Sequence, residues 1–216
     1  MTAHRNIKPI HHSLYEEEKY SIIIPSAGMG KRMKSFGPKS LIKLKPNLNI
    51  LENQINIINK IFPINEIILV VGYDGDYLMN HSSNSLIKIE NERYETTNVT
   101  RSIGIGLRAV TTERVVIIYG DLVFNEQTLL NTDFSNRSTI LVDNTYMKEE
   151  EIGCFIENKK IINMDWDQKT KWSQISYFTG KELKLLKNIA WNRSKEMFYG
   201  FECINEIINN LSLIHI

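Results

Sequence analysis

Two stretches of the chain hold residues whose types and spacing could do chemistry. The first is Ile24-Pro-Ser-Ala-Gly-Met-Gly-Lys-Arg-Met-Lys-Ser-Phe-Gly-Pro-Lys-Ser-Leu41. Gly28 and Gly30 let a backbone approach phosphate oxygens and aim amides at them. Lys31, Arg32 and Lys39 add the positive charge that a triphosphate needs. The second is Arg114-Val-Val-Ile-Ile-Tyr-Gly-Asp121, an apolar run ending in a glycine and a carboxylate. A carboxylate at that place can hold Mg²⁺ against phosphates, because Mg²⁺ takes one or two carboxylates and keeps several waters. The bland alternatives are a solvated loop with chance lysines and a strand-end Asp that caps a turn. The co-occurrence of loop and carboxylate argues against both. Two other phosphate loops fail on the residues. A dinucleotide fingerprint needs a third small residue where Met33 stands, and a Walker loop needs Gly-Lys-Ser where Pro38 separates Gly37 from Lys39.

Chemistry of this kind needs elements that bring a loop and a carboxylate to one edge. Tyr20–Pro25 is a short β-branched run of the sort buried on both faces of a sheet. Ile50–Phe62 carries Leu51, Ile55, Ile58 and Phe62 at helical spacing, and Pro63 stops it. Glu66–Val71 reads as a second buried strand closed by Gly72, and Leu86–Ile89 as a weak third. Asn98–Val110 reads as a helix, Arg114–Tyr119 as a fourth strand and Thr139–Val142 as a fifth. Strand and helix alternation predicts an α/β fold: a mixed, mostly parallel sheet with helices on both faces. After about residue 145 the pattern changes. Ile152–Glu157 and Lys160–Met164 read as a hairpin, Trp172–Phe178 as a strand, and Gly180–Asn188 and Ser194–Asn209 as helices, which predicts a small antiparallel lid.

With these residues in place a family becomes recognisable. Ala27-Gly28-Met29-Gly30-Lys31-Arg32-Met33 followed by Pro38-Lys39 resembles the signature of nucleotidyltransferases with the GT-A-like, Rossmann-like fold, which include sugar-phosphate, methylerythritol-phosphate and choline-phosphate enzymes. The likeness continues at Val71-Gly72-Tyr73, through Asn91–Ile103 with Tyr94, Asn98 and Ser102 in the choline-phosphate pattern, and at Tyr119-Gly120-Asp121. It implies transfer of NMP, from CTP in preference to UTP, to a small phosphorylated acceptor such as choline phosphate, a phosphonate or a sugar phosphate, with release of pyrophosphate. It implies Arg32, Lys39 and Asp121 as the catalytic set, with Lys39 on the α-phosphate and acceptor phosphate, Arg32 on the β- and γ-phosphates, and Asp121 on Mg²⁺. Ser26, Ala27, Gly28, Met29, Gly30 and Lys31 would join Arg32, Lys39, Asn98 and Ser102 in binding the nucleotide; helix capping by Thr97 or Asn98 is the plainer reading of that stretch. Arg101–Leu107 also resembles a stretch of the methylerythritol-phosphate enzymes. Two alternatives from other classes stay open: a GT-A glycosyltransferase using a finished sugar nucleotide, and a non-catalytic nucleotide-binding domain. The first wants Asp-x-Asp, and Val123 stands at the second position.

Composition bounds the rest. The 216 residues suffice for one sizeable domain, and 42% apolar with 24% charged residues is ordinary for a globular chain. A net charge of +1 argues against a nucleic-acid partner, and no run reaches the roughly 18–20 apolar residues of a membrane span. Two cysteines, Cys154 and Cys203, make no disulfide framework, and the expected location is cytoplasmic. Asp165 and Asp167 read as turn residues before a second metal pair, and Trp166, Trp172, Tyr177, Phe178 and Trp191 as core before an aromatic cage. Residues 1–19 read as a leader arm or linker and 20–210 as the nucleotidyltransferase domain. Leu211–Ile216 matches the translation of a transposase end sequence, so residues 211–216 read as a non-native tail and a second metal carboxylate is expected beyond residue 210.

Overall fold

A computed structural model describes residues 19–30, 37–144, 148, 150–166 and 168–211, and the backbone of 214–215. The parallel part of its main sheet is built around β1 (Tyr20–Ser26), which pairs in parallel with β4 (Ile64–Val71) on one side and β6 (Arg114–Ile118) on the other. β5 (Ile87–Glu90) extends this parallel part beyond β4. Strand alternation then divides the core. Ile22 and Ile24 point to one face with Leu69, Val71 and Ile118, under Leu51, Ile55 and Ile58 of α1 (Ile50–Ile61). Ile23 points to the other with Ile68, Val70 and Ile117, under α3 (Val99–Ala109), α5 (Gly180–Trp191) and α6 (Gly200–Leu211). Ile22, Ile23 and Ile24 are all fully buried, so truncating any one to Ala would cost about 2–5 kcal/mol.

The antiparallel strands continue the same sheet. β10 (Thr170–Thr179) lies against β6 and carries β7 (Thr139–Asp143) on its other edge. The hairpin of β8 (Gly153–Glu157) and β9 (Lys160–Asp165) turns at Asn158 and Lys159, both left-handed, and completes the edge. Residues Ile214–His215 lie between β7 and β9 as β11. The sequence pattern assigns Trp172–Phe178 to the antiparallel lid; here β10 is inserted between β6 and β7 in the main sheet, a long-range pairing that local periodicity does not encode. Two short strands, β2 (Lys43–Lys45) and β3 (Leu48–Asn49), and two short helices, α2 (Gly75–Asn80) and α4 (Glu126–Leu130), are also additions.

One helix boundary is corrected. The expected helix Ser194–Asn209 is a 3₁₀ turn at Arg193–Lys195 followed by α6 from Gly200. The intervening backbone is occupied elsewhere: Asn98 donates its amide to Glu196 O at 2.8 Å, and Arg93 pairs with the Glu196 carboxylate through both terminal nitrogens at 3.0 and 2.7 Å. α1 starts where Asn49 and Glu52 form a reciprocal capping box, each bond 2.8 Å.

At the end of β1 away from Ser26, the buried Glu66 carboxylate accepts from Ser21 Oγ, Asn65 Nδ2, and the amide and hydroxyl of Thr111, the last two at 2.9 Å. Burial alone would push its pKa up, but the hydrogen bonds from Ser21, Thr111 and Asn65 outweigh it and hold the carboxyl below its ordinary 4.5. A depressed folded pKa means that the contribution is full above the unfolded value and is lost as pH falls through the folded one. Glu66→Gln should therefore cost about 1–3 kcal/mol near neutrality, measured by urea unfolding. As pH falls below about 5 the wild type should lose stability more steeply than the variant. Parallel pH profiles of the two proteins would remove Glu66 from the acid response.

Candidate functional site

The parallel strands all end at one edge, and the loops leaving them enclose a cleft of about 220 Å³. From the loop after β1 come Pro25, Ser26, Ala27, Gly28 and Gly30; from the 3₁₀ turn Lys39–Leu41 come Lys39 and Ser40. The stretch between β5 and α3 gives Asn91, Tyr94, Thr97 and Asn98, α3 itself gives Val99 and Ser102, and the end of β6 gives Tyr119, Gly120 and Asp121. The structure thus brings together Ser26, Ala27, Gly28, Gly30, Lys39, Asn98, Ser102 and Asp121 of the residues expected from the sequence. Met29 is half-buried and does not line the cleft. Lys31, Arg32 and Met33 lie outside the described residues, as does Asp167.

Across the cleft Lys39 Nζ stands 3.2 Å from Asp121 Oδ2. Their side chains are 30% and 40% exposed, so the pair is worth about 0–1 kcal/mol and is readily exchanged for stronger partners. Ser26 Oγ and Ser40 Oγ are buried without a partner among the described residues, and Ser40 as a residue is only 2% exposed. Two orphaned hydroxyls in a cleft with a lysine are donors available to an anion. On the opposite wall, buried Asn91 accepts from Arg93 N at 3.2 Å and donates to Thr97 Oγ1 at 3.2 Å and Ser102 Oγ at 3.1 Å. Asn98 Oδ1 accepts from Val99 N at 2.8 Å, so Asn98 does cap α3 while also facing the cleft. Burial, followed by the proximity of Cys203 and Asp121, pushes the Tyr119 phenol well above its ordinary pKa, so it remains an O–H donor.

Two glycines let the walls approach. A Cβ on Gly120 would sit 1.9 Å from Ser26 Oγ. A Cβ on Gly72 would sit 2.7 Å from Tyr94 Cβ, 2.8 Å from Ala27 Cβ and 2.9 Å from Ala27 O, none of which is a flexible side-chain end. Gly72 is thus the wedge point between the loop after β1 and the Asn91–Asn98 stretch.

Asn91, Ser40 and Tyr119 receive no role from the sequence reading, and Thr97 only that of a candidate helix cap. Asn91 follows a weakly patterned strand, and only its position at the common edge marks it. The five aromatics weighed as a cage do not converge. Trp172 and Phe178 pack on one face of the sheet, Tyr177 on the other, and Trp166 and Trp191 are 41% and 42% exposed. Asp165 ends β9 and accepts from Trp166 N at 2.8 Å, a turn role outside the cleft. Cys154 and Cys203 are buried thiols whose pKa burial pushes up to about 12.

Comparison with known proteins gives a consistent picture. The MobA-like NTP transferase domain matches residues 22–141. No curated protein matches the chain. Among solved structures, the inositol-1-phosphate CTP transferase from T. maritima superposes with TM-score 0.73 at 16% identity, covering 92% of this chain and 84% of that one. The CTP:phosphocholine cytidylyltransferase from Streptococcus pneumoniae gives 0.71 at 20%, over 91% and 88%. The nucleoside-diphosphate-sugar pyrophosphorylase from Vibrio cholerae RC9 gives 0.63 at 15%, over 90% of each chain. At these identities the likeness establishes the fold alone.

Gly72→Ala should force the two walls apart. The expected result is a protein that still folds, with Tm several degrees lower, and a loss of nucleotide affinity of about tenfold or more by calorimetric titration. Unchanged affinity would show that the Ala27–Tyr94 approach does not shape the cleft.

Proposed function

Because the chain belongs to the MobA-like NTP transferase domain family, we propose that it transfers CMP from CTP to a small phosphorylated acceptor, such as choline phosphate, a phosphonate or a sugar phosphate. An acceptor phosphate oxygen attacks the α-phosphorus, the bond to the β-phosphate oxygen breaks, and pyrophosphate leaves. Both reactants are anions, so the work of the site is charge neutralisation and in-line placement, and no covalent nucleophile is needed. The observation that carries this reading is the Lys39–Asp121 pair, 3.2 Å apart, facing the glycine loop across the cleft.

In this reading the incoming triphosphate takes Lys39 from Asp121. Lys39 then neutralises the α-phosphate and the acceptor phosphate, and Arg32 is assigned to the β- and γ-phosphates. The amides of the Ser26–Gly30 segment, with Lys31 beside them, hold the nucleotide, and Asn98 and Ser102 contact the base or ribose. Asp121, released from Lys39, would be a protein ligand of Mg²⁺. Its half-exposed carboxylate suits an ion that accepts a single carboxylate together with phosphate oxygens and water. Among the described residues there is no cluster of three or more His, Cys, Asp or Glu side chains. The bound ion would supply charge neutralisation at the transferred phosphate. The choice of CTP is supported by the names of two structural neighbours, both of which use it. The glycosyltransferase alternative gains nothing, since Val123, 60% exposed, stands where its second carboxylate belongs. Among the described residues no helix is long and apolar enough to cross a membrane.

Lys39→Ala should lower kcat by about 10²–10³, or roughly 3–4 kcal/mol of transition-state stabilisation, with a much smaller change in nucleotide KM. Steady-state pyrophosphate release measures both, and near wild-type kcat would remove Lys39 from the chemistry. Asp121→Asn tests the metal assignment separately. CTP titrated with and without Mg²⁺ should bind the wild type in a metal-dependent way and the variant nearly independently of metal. Equal metal dependence would place the ion elsewhere.

A further inference from the structure

The turn that carries Asp121 is held from beneath by a residue outside the cleft. Gln54 lies on α1 among Leu51, Ile55 and Ile58, on the face packed against the sheet, and is 0% exposed. Its Nε2 donates to Tyr119 O at 2.9 Å and to Leu122 O at 2.8 Å, the residues on either side of Gly120-Asp121. Both partners are carbonyl oxygens, so the amide nitrogen must face them, whatever the orientation chosen for the group. The turn also closes on itself through Leu122 N to Tyr119 O at 3.3 Å, and is tied to β1 by Gly120 N to Pro25 O at 3.2 Å.

The carboxamide serves the turn at a cost to itself. Gln54 Oε1 is buried and has no partner among the described residues, so the residue leaves one polar atom unpaired among apolar neighbours. An apolar side chain of the same length would avoid that penalty but would take its bond from Leu122 O and leave Tyr119 O only the one from Leu122 N. The same helix reaches the other half of the charge pair: its first residue, Ile50, donates its amide to Ile42 O at 3.1 Å, next to the turn bearing Lys39. One rigid element therefore spans both sides of the cleft.

We propose that Gln54 is a positioning residue, clamping the Tyr119–Leu122 turn so that the Asp121 carboxylate is fixed opposite Lys39 before substrate arrives. Its metal-related consequence rests on the reading of Asp121 given above; the clamp itself does not.

The test uses the full chain and Gln54→Met, which keeps length, volume and helix propensity while removing both donors. Hydrogen exchange at the Leu122 amide reports the turn without any ligand. The proposal expects slow exchange in the wild type and exchange at least tenfold faster in Gln54→Met, with amides of β1 unchanged. Titration of CTP against Mg²⁺ reports the consequence: the half-saturating Mg²⁺ concentration should rise at least fivefold in Gln54→Met, while CTP affinity without metal stays within twofold. Placed in an Asp121→Asn background, Gln54→Met should add nothing to the metal dependence. If the wild type showed no metal dependence, the Mg²⁺ reading would fall and exchange alone would decide the clamp. Unchanged exchange at Leu122 in Gln54→Met overturns the proposal. Should that variant not fold, rapid Leu122 exchange in the wild type overturns it equally, and slow exchange there that is lost in the shorter Gln54→Asn upholds it.

Discussion

The parallel pairing of β1 with two neighbours is the constraint on which the remaining structure depends. Six successive residues, Tyr20 to Pro25, are buried, and the strand is paired with β4 along its length and with β6 at Ser21–Ile23. A strand enclosed in this way must be apolar on both faces, and its neighbours must run in the same direction through crossover helices. It follows that the chain leaves β1, β4, β5 and β6 at a single edge. The glycine loop, the Asn91–Asn98 stretch and the Gly120-Asp121 turn are exits from those strands, and the cleft is the space between them.

The electrostatics of the cleft follow from this convergence. Lys39 and Asp121 are 82 positions apart in sequence and meet at 3.2 Å because two exits face each other. Their mutual neutralisation is weak at such exposure, so the pair is set to be exchanged rather than to stabilise the fold. The firm contacts lie one layer back. The α1 capping box fixes the helix start, Gln54 bonds both ends of the acidic turn, and Asn91 joins Thr97 to Ser102. Such layering lets first contacts change partners while their backbone supports stay in place.

Much of this was legible in the sequence because it is written in local pattern. The β-branched runs of β1, β4 and β6, the helical spacing in α1 and α3, and the glycines flanking Lys39 and Asp121 each carry their own signal. What was not legible is written in distance. The insertion of β10 beside β6 depends on pairing Ser176 with Ile117, which no window of local sequence contains. The late start of α6 depends on Glu196 and Phe198 serving the beginning of α3. Gln54 looks like one more polar residue on an amphipathic helix until its two carbonyl partners, 65 and 68 positions away, are in view. The aromatic residues were read as core ahead of a cage, and Trp172, Tyr177 and Phe178 are core, on opposite faces of the sheet.

Pyrophosphate release, measured with each of the four NTPs against choline phosphate, aminoethylphosphonate and sugar 1-phosphates in the presence of Mg²⁺, tests the central claim most directly. The account predicts acceptor-dependent release that is fastest with CTP, by about tenfold or more over the other nucleotides. Absence of release with every pair, or turnover of a finished sugar nucleotide in its place, would contradict it.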